Sequence, residues 1–219
     1  MQVEVASNPD FGHLQIVLNQ GQSIVCESGA MAAMDSDLQL DTKMMGGFLP
    51  ALWRKMVAGE SLLSGVYTSQ REGARLWLSP PIPGTIIEYR LDGKSLLLTS
   101  GSFLACDSGI QLGTRFGGLR AMFSGEGMFF IEARGSGTLW FNSYGSVFER
   151  EVDGELIVDT GHVVAWEPSL SWTVTGMGNL FSTLFSGEGL VLKFSGRGKV
   201  WLQTRSMSGL AAWLAGYCR

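Results

Sequence analysis

FLPALWRKMVAGESLL (residues 48–63), FGGLRAMFSGEGMFF (116–130) and MGNLFSTLFSGEGLVL (177–192) are three versions of one stretch. Each is an apolar segment at helical spacing, closed by a small residue, Gly and Glu, and followed by a strand-like run. In the third version Met177, Leu180, Phe181, Leu184 and Phe185 recur at the positions of one helical face. Gly59, Gly125 and Gly187 then stop the helix, because glycine accepts the left-handed geometry just past a helix end. Helices this short depend on packing rather than on intrinsic propensity.

The repetition extends outward from these stretches. Gly12 and Gly21, Gly84 and Gly93, and Gly145 and Gly154 are each nine residues apart. Asp92-Gly93 and Asp153-Gly154 predict type I′ hairpin turns. An apolar strand follows each (23–27, 95–99, 156–160), then Gly29, Gly101 or Gly161, then a second strand (30–34, 102–106, 162–166). Ala33, Ala105 and Ala165 occupy its matched middle position, where a small residue implies close packing. Gly135–Gly137 and Gly196–Gly198 are expected as further hairpin turns. Trp77, Trp140 and Trp201 close the pattern as buried anchors, with ligand stacking as the alternative.

These signals predict one all-β domain of three pseudo-symmetric repeats (about 1–79, 80–142 and 143–206) with short apolar helices. A C-terminal helix over 207–219 completes it, capped by Ser206 or Ser208. Its apolar face, Leu210, Trp213, Leu214 and Tyr217, packs either on its own sheet or on a neighbouring subunit.

Composition narrows the function. The 219 residues are 45% hydrophobic and only 16% charged, so the apolar surplus goes either to a large core or to an interface. A net charge of −4 excludes a general DNA partner and disfavours RNA. Cys26, Cys106 and Cys218 are far apart and odd in number, which fits reduced thiols rather than a disulfide framework or a zinc site. The N-terminus lacks a signal-peptide or transit pattern and no apolar run is long enough to span a bilayer, so a cytoplasmic protein is expected.

No catalytic signature emerges. His13 and His162 are not at metal spacing. Gly93-Lys94-Ser95 mimics the end of a phosphate-binding loop, but Glu88 stands where that loop needs glycine and a strand follows. Glu60, Glu126 and Glu188 are matched in all three copies and are expected to bond nearby turn backbone, with a shared cation site as the alternative. The expectation is therefore no enzyme activity and no cofactor.

The copies differ most in the first, which is longer. Its additions are the segment around Pro50, Trp53, Arg54 and Lys55 and the linker over 66–84. Extra material on one copy of a repeating frame is where contacts are grafted. The candidate interaction residues are accordingly Phe48, Leu49, Leu52, Trp53, Arg54, Lys55 and Met56, joined by Trp213 of the C-terminal helix.

The Gly-Glu-Gly/Ser elements Gly59-Glu60-Ser61, Gly125-Glu126-Gly127 and Gly187-Glu188-Gly189 resemble those of the "altered inheritance of mitochondria" (mitochondrial biogenesis) family, as does Gln203-Thr204-Arg205-Ser206 before an Ala- and Leu-rich tail. The resemblance covers nearly the whole chain. It implies a double-stranded β-helix fold like that of the tryptophan RNA-binding attenuation protein, and a homo-oligomer of a prokaryotic member. It carries over no catalytic residue. The expected function is a self-assembling scaffold or interaction protein, with a protein or membrane-surface partner. The alternative is a small-ligand or RNA-binding module.

Overall fold

The computed structural model describes residues 1–44, 63–116, 129–176 and 190–218. The described chain is mostly β: fifteen strands and one α-helix. The strands are β1 (Gln2–Ala6), β2 (His13–Leu18), β3 (Ser23–Glu27), β4 (Met31–Met34), β5 (Leu38–Met44), β6 (Leu63–Ser69), β7 (Ala74–Leu78) and β8 (Ile86–Thr99). They continue with β9 (Phe103–Asp107), β10 (Ile110–Phe116), β11 (Phe129–Asn142), β12 (Val147–Asp159), β13 (Val163–Trp166), β14 (Ser171–Gly176) and β15 (Leu190–Gln203). The helix α1 is Met207–Ala215. The short apolar helices expected around Gly59, Gly125 and Gly187 lie outside the described residues.

In β2, Leu14, Ile16 and Leu18 are buried and alternate with half-buried residues, the two-residue period of a strand. A four-stranded sheet runs β1-β2-β7-β4. The large sheet runs β12-β15-β13-β8-β11-β9-β3-β6-β5, with β10 added to β11 and β14 added to β15. There are three apolar clusters: one around Leu14, Ile24 and Leu76, which joins the two sheets, and two formed by the large sheet's own strands, around Leu98, Phe141 and Trp201 and around Trp166, Leu192 and Phe194. In the last, Phe130 meets Trp166 and Trp172 edge-to-face, each at 4.9 Å between ring centres.

Four of the expected hairpin turns are absent. Asp92-Gly93 and Asp153-Gly154 lie inside the continuous strands β8 and β12, and the Gly135–Gly137 and Gly196–Gly198 pairs lie inside β11 and β15. The glycines are bends rather than reversals. Gly154 (φ 110°) pairs directly with Gly196 (φ 115°), so both partners turn together without breaking the ladder. Only in the first copy does the chain break at these places. There Gly21 separates β2 from β3 and Gly73 precedes β7, and the two halves join different sheets.

The matched alanines have a structural reason. Ala33, Ala105 and Ala165 sit across the ladder from Trp77, Trp140 and Trp201. A small side chain beside each indole lets the strand approach. Trp140 and Trp201 are buried, and their indole N–H groups donate to Glu88 at 3.1 Å and to Glu149 at 3.0 Å. Trp77 is only half-buried and carries the Arg75 guanidinium over its ring at 5.4 Å.

The bracket glycines Gly12, Gly84 and Gly145 stack in a row. Gly12 N–H donates to the Gly84 carbonyl at 2.9 Å, and Gly84 bridges Gly145. The Asn8 side-chain amide reinforces the first step, donating to Ile86 O at 2.8 Å and accepting from Ile86 N at 2.9 Å. A Cβ on Gly84 would collide with the Ser143 carbonyl and come within 2.8 Å of Gly145 N, both of them backbone. Gly84→Ala is therefore expected to cost about 2–4 kcal/mol in urea unfolding. Gly101→Ala, where an added Cβ meets nothing within 4 Å, should change stability by less than about 0.5 kcal/mol. Equal effects of the two would show that the row is not tightly packed.

Candidate interaction surface

Seven of the eight residues expected to make contacts, Phe48, Leu49, Leu52, Trp53, Arg54, Lys55 and Met56, lie outside the described residues. The eighth, Trp213, is on α1. Ser206 caps that helix by accepting from Gly209 N, as expected from the sequence. No residue of α1 is buried. Trp213 is 61% exposed and its ring lies 5.0 Å from that of Tyr217, which is 73% exposed. Leu214 is exposed as well, and Leu210 is half-buried. The helix is thus not packed onto its own sheet, and its aromatic face meets solvent in the single chain.

A second apolar surface was not legible in the sequence. All four residues of β4 are exposed, including Met31 and Met34, and Ile157 on β12 is 57% exposed. The residues at the same places in the repeated pattern are buried: Phe103 and Val163 for Met31, Cys106 and Trp166 for Met34, Ile24 and Leu96 for Ile157. The apolar pattern looks alike in all three copies, so only the pairing of strands reveals which copy is left uncovered.

A cleft lies where β8 and β11 bend, lined by Tyr89, Lys94, Ser95, Arg134, Glu167 and Ser169. Arg134 there also donates to Glu132 at 2.6 Å, and Arg115 does so at 2.6 Å from the other side. Burial pushes Glu132 up, but the two guanidiniums overcome it and hold its carboxyl below the usual range. Glu167 accepts from Lys199 N at 2.9 Å, so this carboxylate is committed to backbone.

The remaining polar groups hold the frame. His13 contacts Gln15 at 3.2 Å, and His162 Nδ1 donates to Gln203 O at 2.8 Å. Among the described residues no group of His, Cys, Asp or Glu forms a metal-holding arrangement, and no helix is long and apolar enough to cross a membrane. Cys26 and Cys106 are buried, and burial pushes both thiols well up, which keeps them inert.

Gln203 and Thr204 tie the third copy together. The Gln203 side chain accepts from Tyr144 N and donates to Gly161 O, both at 2.8 Å, and Thr204 N donates to Ser146 O at 3.0 Å. With Ser206 capping α1, three residues of Gln203-Thr204-Arg205-Ser206 have defined bonds. The sequence pattern of the family described as Mitochondrial biogenesis AIM24 matches residues 3–205. The chain belongs to this family. Across 99% of its length, and 91% of the relative's, it is 30% identical to an uncharacterized protein of Streptococcus pyogenes serotype M6. It is likewise similar to the crystal structure of a Streptococcus pyogenes protein, with a TM-score of 0.83, 30% identity and 99% of both chains covered. Membership in the AIM24 family agrees with the resemblance read from the Gly-Glu elements and the Gln-Thr-Arg-Ser motif.

The Glu27 carboxyl takes no part in these networks. Glu27 ends β3, and its Oε2 is buried without a hydrogen-bond partner. Burial raises its carboxyl from 4.5 to about 7. Between those values the folded chain keeps a proton that the unfolded chain has lost, so stability falls as pH rises through that window. Glu27→Gln should therefore stabilise by about 2 kcal/mol at pH 8 and by about 0 at pH 4. Urea unfolding at both pH values reads the difference, and a variant no more stable than wild type at pH 8 contradicts it.

Proposed function

We propose that this AIM24-family protein is a non-enzymatic, self-assembling scaffold or interaction protein of the cytoplasm. The observation that carries the reading is α1: a capped helix whose Trp213, Leu214 and Tyr217 are exposed in a chain with few charges. An uncovered aromatic face of this kind is stabilised when a partner removes it from water. We read the frame as three repeats on a fold like that of the tryptophan RNA-binding attenuation protein. Recurring bent strand pairs and recurring Trp–Ala contacts support that reading. Residues 48–56 add a basic, aromatic edge suited to a protein or a membrane surface.

Analytical ultracentrifugation tests the assembly. The expected outcome is a concentration-dependent multimer, with Trp213→Asp raising the dissociation constant about tenfold or more. A strict monomer at every concentration overturns the reading. Vesicle co-sedimentation of wild type and Trp53→Asp tests the membrane arm: it falls if wild type does not bind or if the variant binds equally.

A second reading, a small-ligand or RNA-binding module, is favoured by the cleft between the bent strands, which presents Lys94 and Arg134 beside Tyr89. The net charge of −4 counts against RNA. Filter binding of single-stranded RNA with a salt titration decides that arm. Affinity that falls with salt and is weakened at least about threefold by Lys94→Glu supports it, and no binding at low salt removes it.

A further inference from the structure

Two internal junctions follow one rule. At the first, β3 pairs antiparallel with β9, placing Val25 opposite Cys106 and Cys26 opposite Ala105. At the second, β8 pairs antiparallel with β13, placing Leu97 opposite Trp166 and Leu98 opposite Ala165. Val25 lies four residues after Gly21, and Leu97 four after Gly93. Cys106 lies five residues after Gly101, and Trp166 five after Gly161. The two junctions therefore share register as well as direction.

A third junction of the same kind would join the end of β12 to β4. Val158, four residues after Gly154, would face Met34, five after Gly29, and Asp159 would face Ala33. That pairing is not made within the chain: β12 pairs with β15 and β4 with β7. The exposures mark the same gap. Every residue of β4 is exposed, whereas β9 is buried from Phe103 to Cys106 and β13 is buried throughout. Ile157 is 57% exposed, whereas Ile24 and Leu96 are fully buried.

We infer that β4 of one copy adds to the Leu156–Asp159 part of β12 in a second copy, head to tail, in the register of the two internal junctions. The occupant is a second copy because this chain already contains, twice, the mating edge that each of these two edges, unpaired among the described residues, lacks. An unpaired edge also leaves backbone N–H and C=O groups that a strand can complete. The β4 edge reads Met-Ala-Ala-Met and carries none of the lysines or prolines that guard solitary edges. A head-to-tail contact uses two different surfaces, so each copy joined through one edge still offers the other, and the assembly is a ring or a filament. The inference rests on the self-assembly proposed above and adds a strand-pairing surface to the α1 face.

The experiment is disulfide trapping in a Cys218→Ser background, since Cys218 is the exposed thiol and Cys26 and Cys106 are buried. Ala33→Cys with Asp159→Cys on one chain, oxidised at micromolar protein, should give a ladder of covalent multimers on a non-reducing gel. Each single-cysteine variant should run as one band at monomer size. Because Asp159 accepts from Gly161 N, a second pair of variants guards against local damage. Met34→Asp and Ile157→Asp each alter a side chain already exposed in the single chain, and each should shift the sedimenting species to monomer with an unchanged circular dichroism spectrum. Multimers that persist in both Asp variants and give no ladder overturn the head-to-tail junction and leave self-assembly standing. An oxidised double variant that closes on itself as a monomer overturns the intermolecular pairing. A wild type that is monomeric throughout overturns both proposals.

Discussion

The structure depends on short strand pairings between successive parts of the chain. β9 docks on β3 and β13 on β8, each through only two or three residue pairs. These contacts are brief, yet they make one sheet out of segments far apart in sequence. They tolerate little change because the docking strands are buried on both faces. Ala105 and Ala165 lie between a Trp on one side and the neighbouring strand on the other. A larger residue there would push the strands apart, and a polar one would be buried without a partner.

Around these junctions the long ladders act as rigid arms. β8 with β11 and β12 with β15 run for thirteen or fourteen residues each, and they bend at glycine instead of ending there. Bending keeps backbone hydrogen bonds paired on both sides of the corner, which a true turn would interrupt. Buried polar atoms are placed to serve this frame. Glu88 and Glu149 receive the indole N–H groups of Trp140 and Trp201, and Gln203 joins two loops of the third copy. Among the described residues Glu27 Oε2, Asp107 Oδ1, Asn142 Oδ1 and Trp166 Nε1 are buried without a partner, and the Glu27 oxygen sits at the end of β3.

Much of the local structure was legible. The apolar run after Gly21 gave β3, the Ser206 cap gave the start of α1, and the recurring alanines and tryptophans marked close contacts that the fold makes. The turns were misread because Asp-Gly and Gly-x-Gly signal positive φ, and positive φ serves a bend within a strand as well as a hairpin. Trp77 was expected to be as buried as its counterparts, yet it is half-buried, because its partner across the ladder, Ala33, lies on the exposed strand β4. Most of the expected contact residues, from Phe48 to Met56, fall outside the described residues; of the eight only Trp213 is described, and it is exposed.

The sequence by itself determined the composition of each repeating unit: which positions are apolar, which are glycine, and where the small residues stand opposite large ones. It also carried the family, through the Gly-Glu elements and the Gln-Thr-Arg-Ser motif. Only the tertiary structure decided which edges are satisfied. Met34, Cys106 and Trp166 occupy one place in the pattern, but Met34 is exposed and the other two are buried. The reason is that burial at a strand edge is a property of the neighbour: β9 and β13 each have a further strand beside them, β3 and β8, whereas among the described strands β4 pairs with β7 alone.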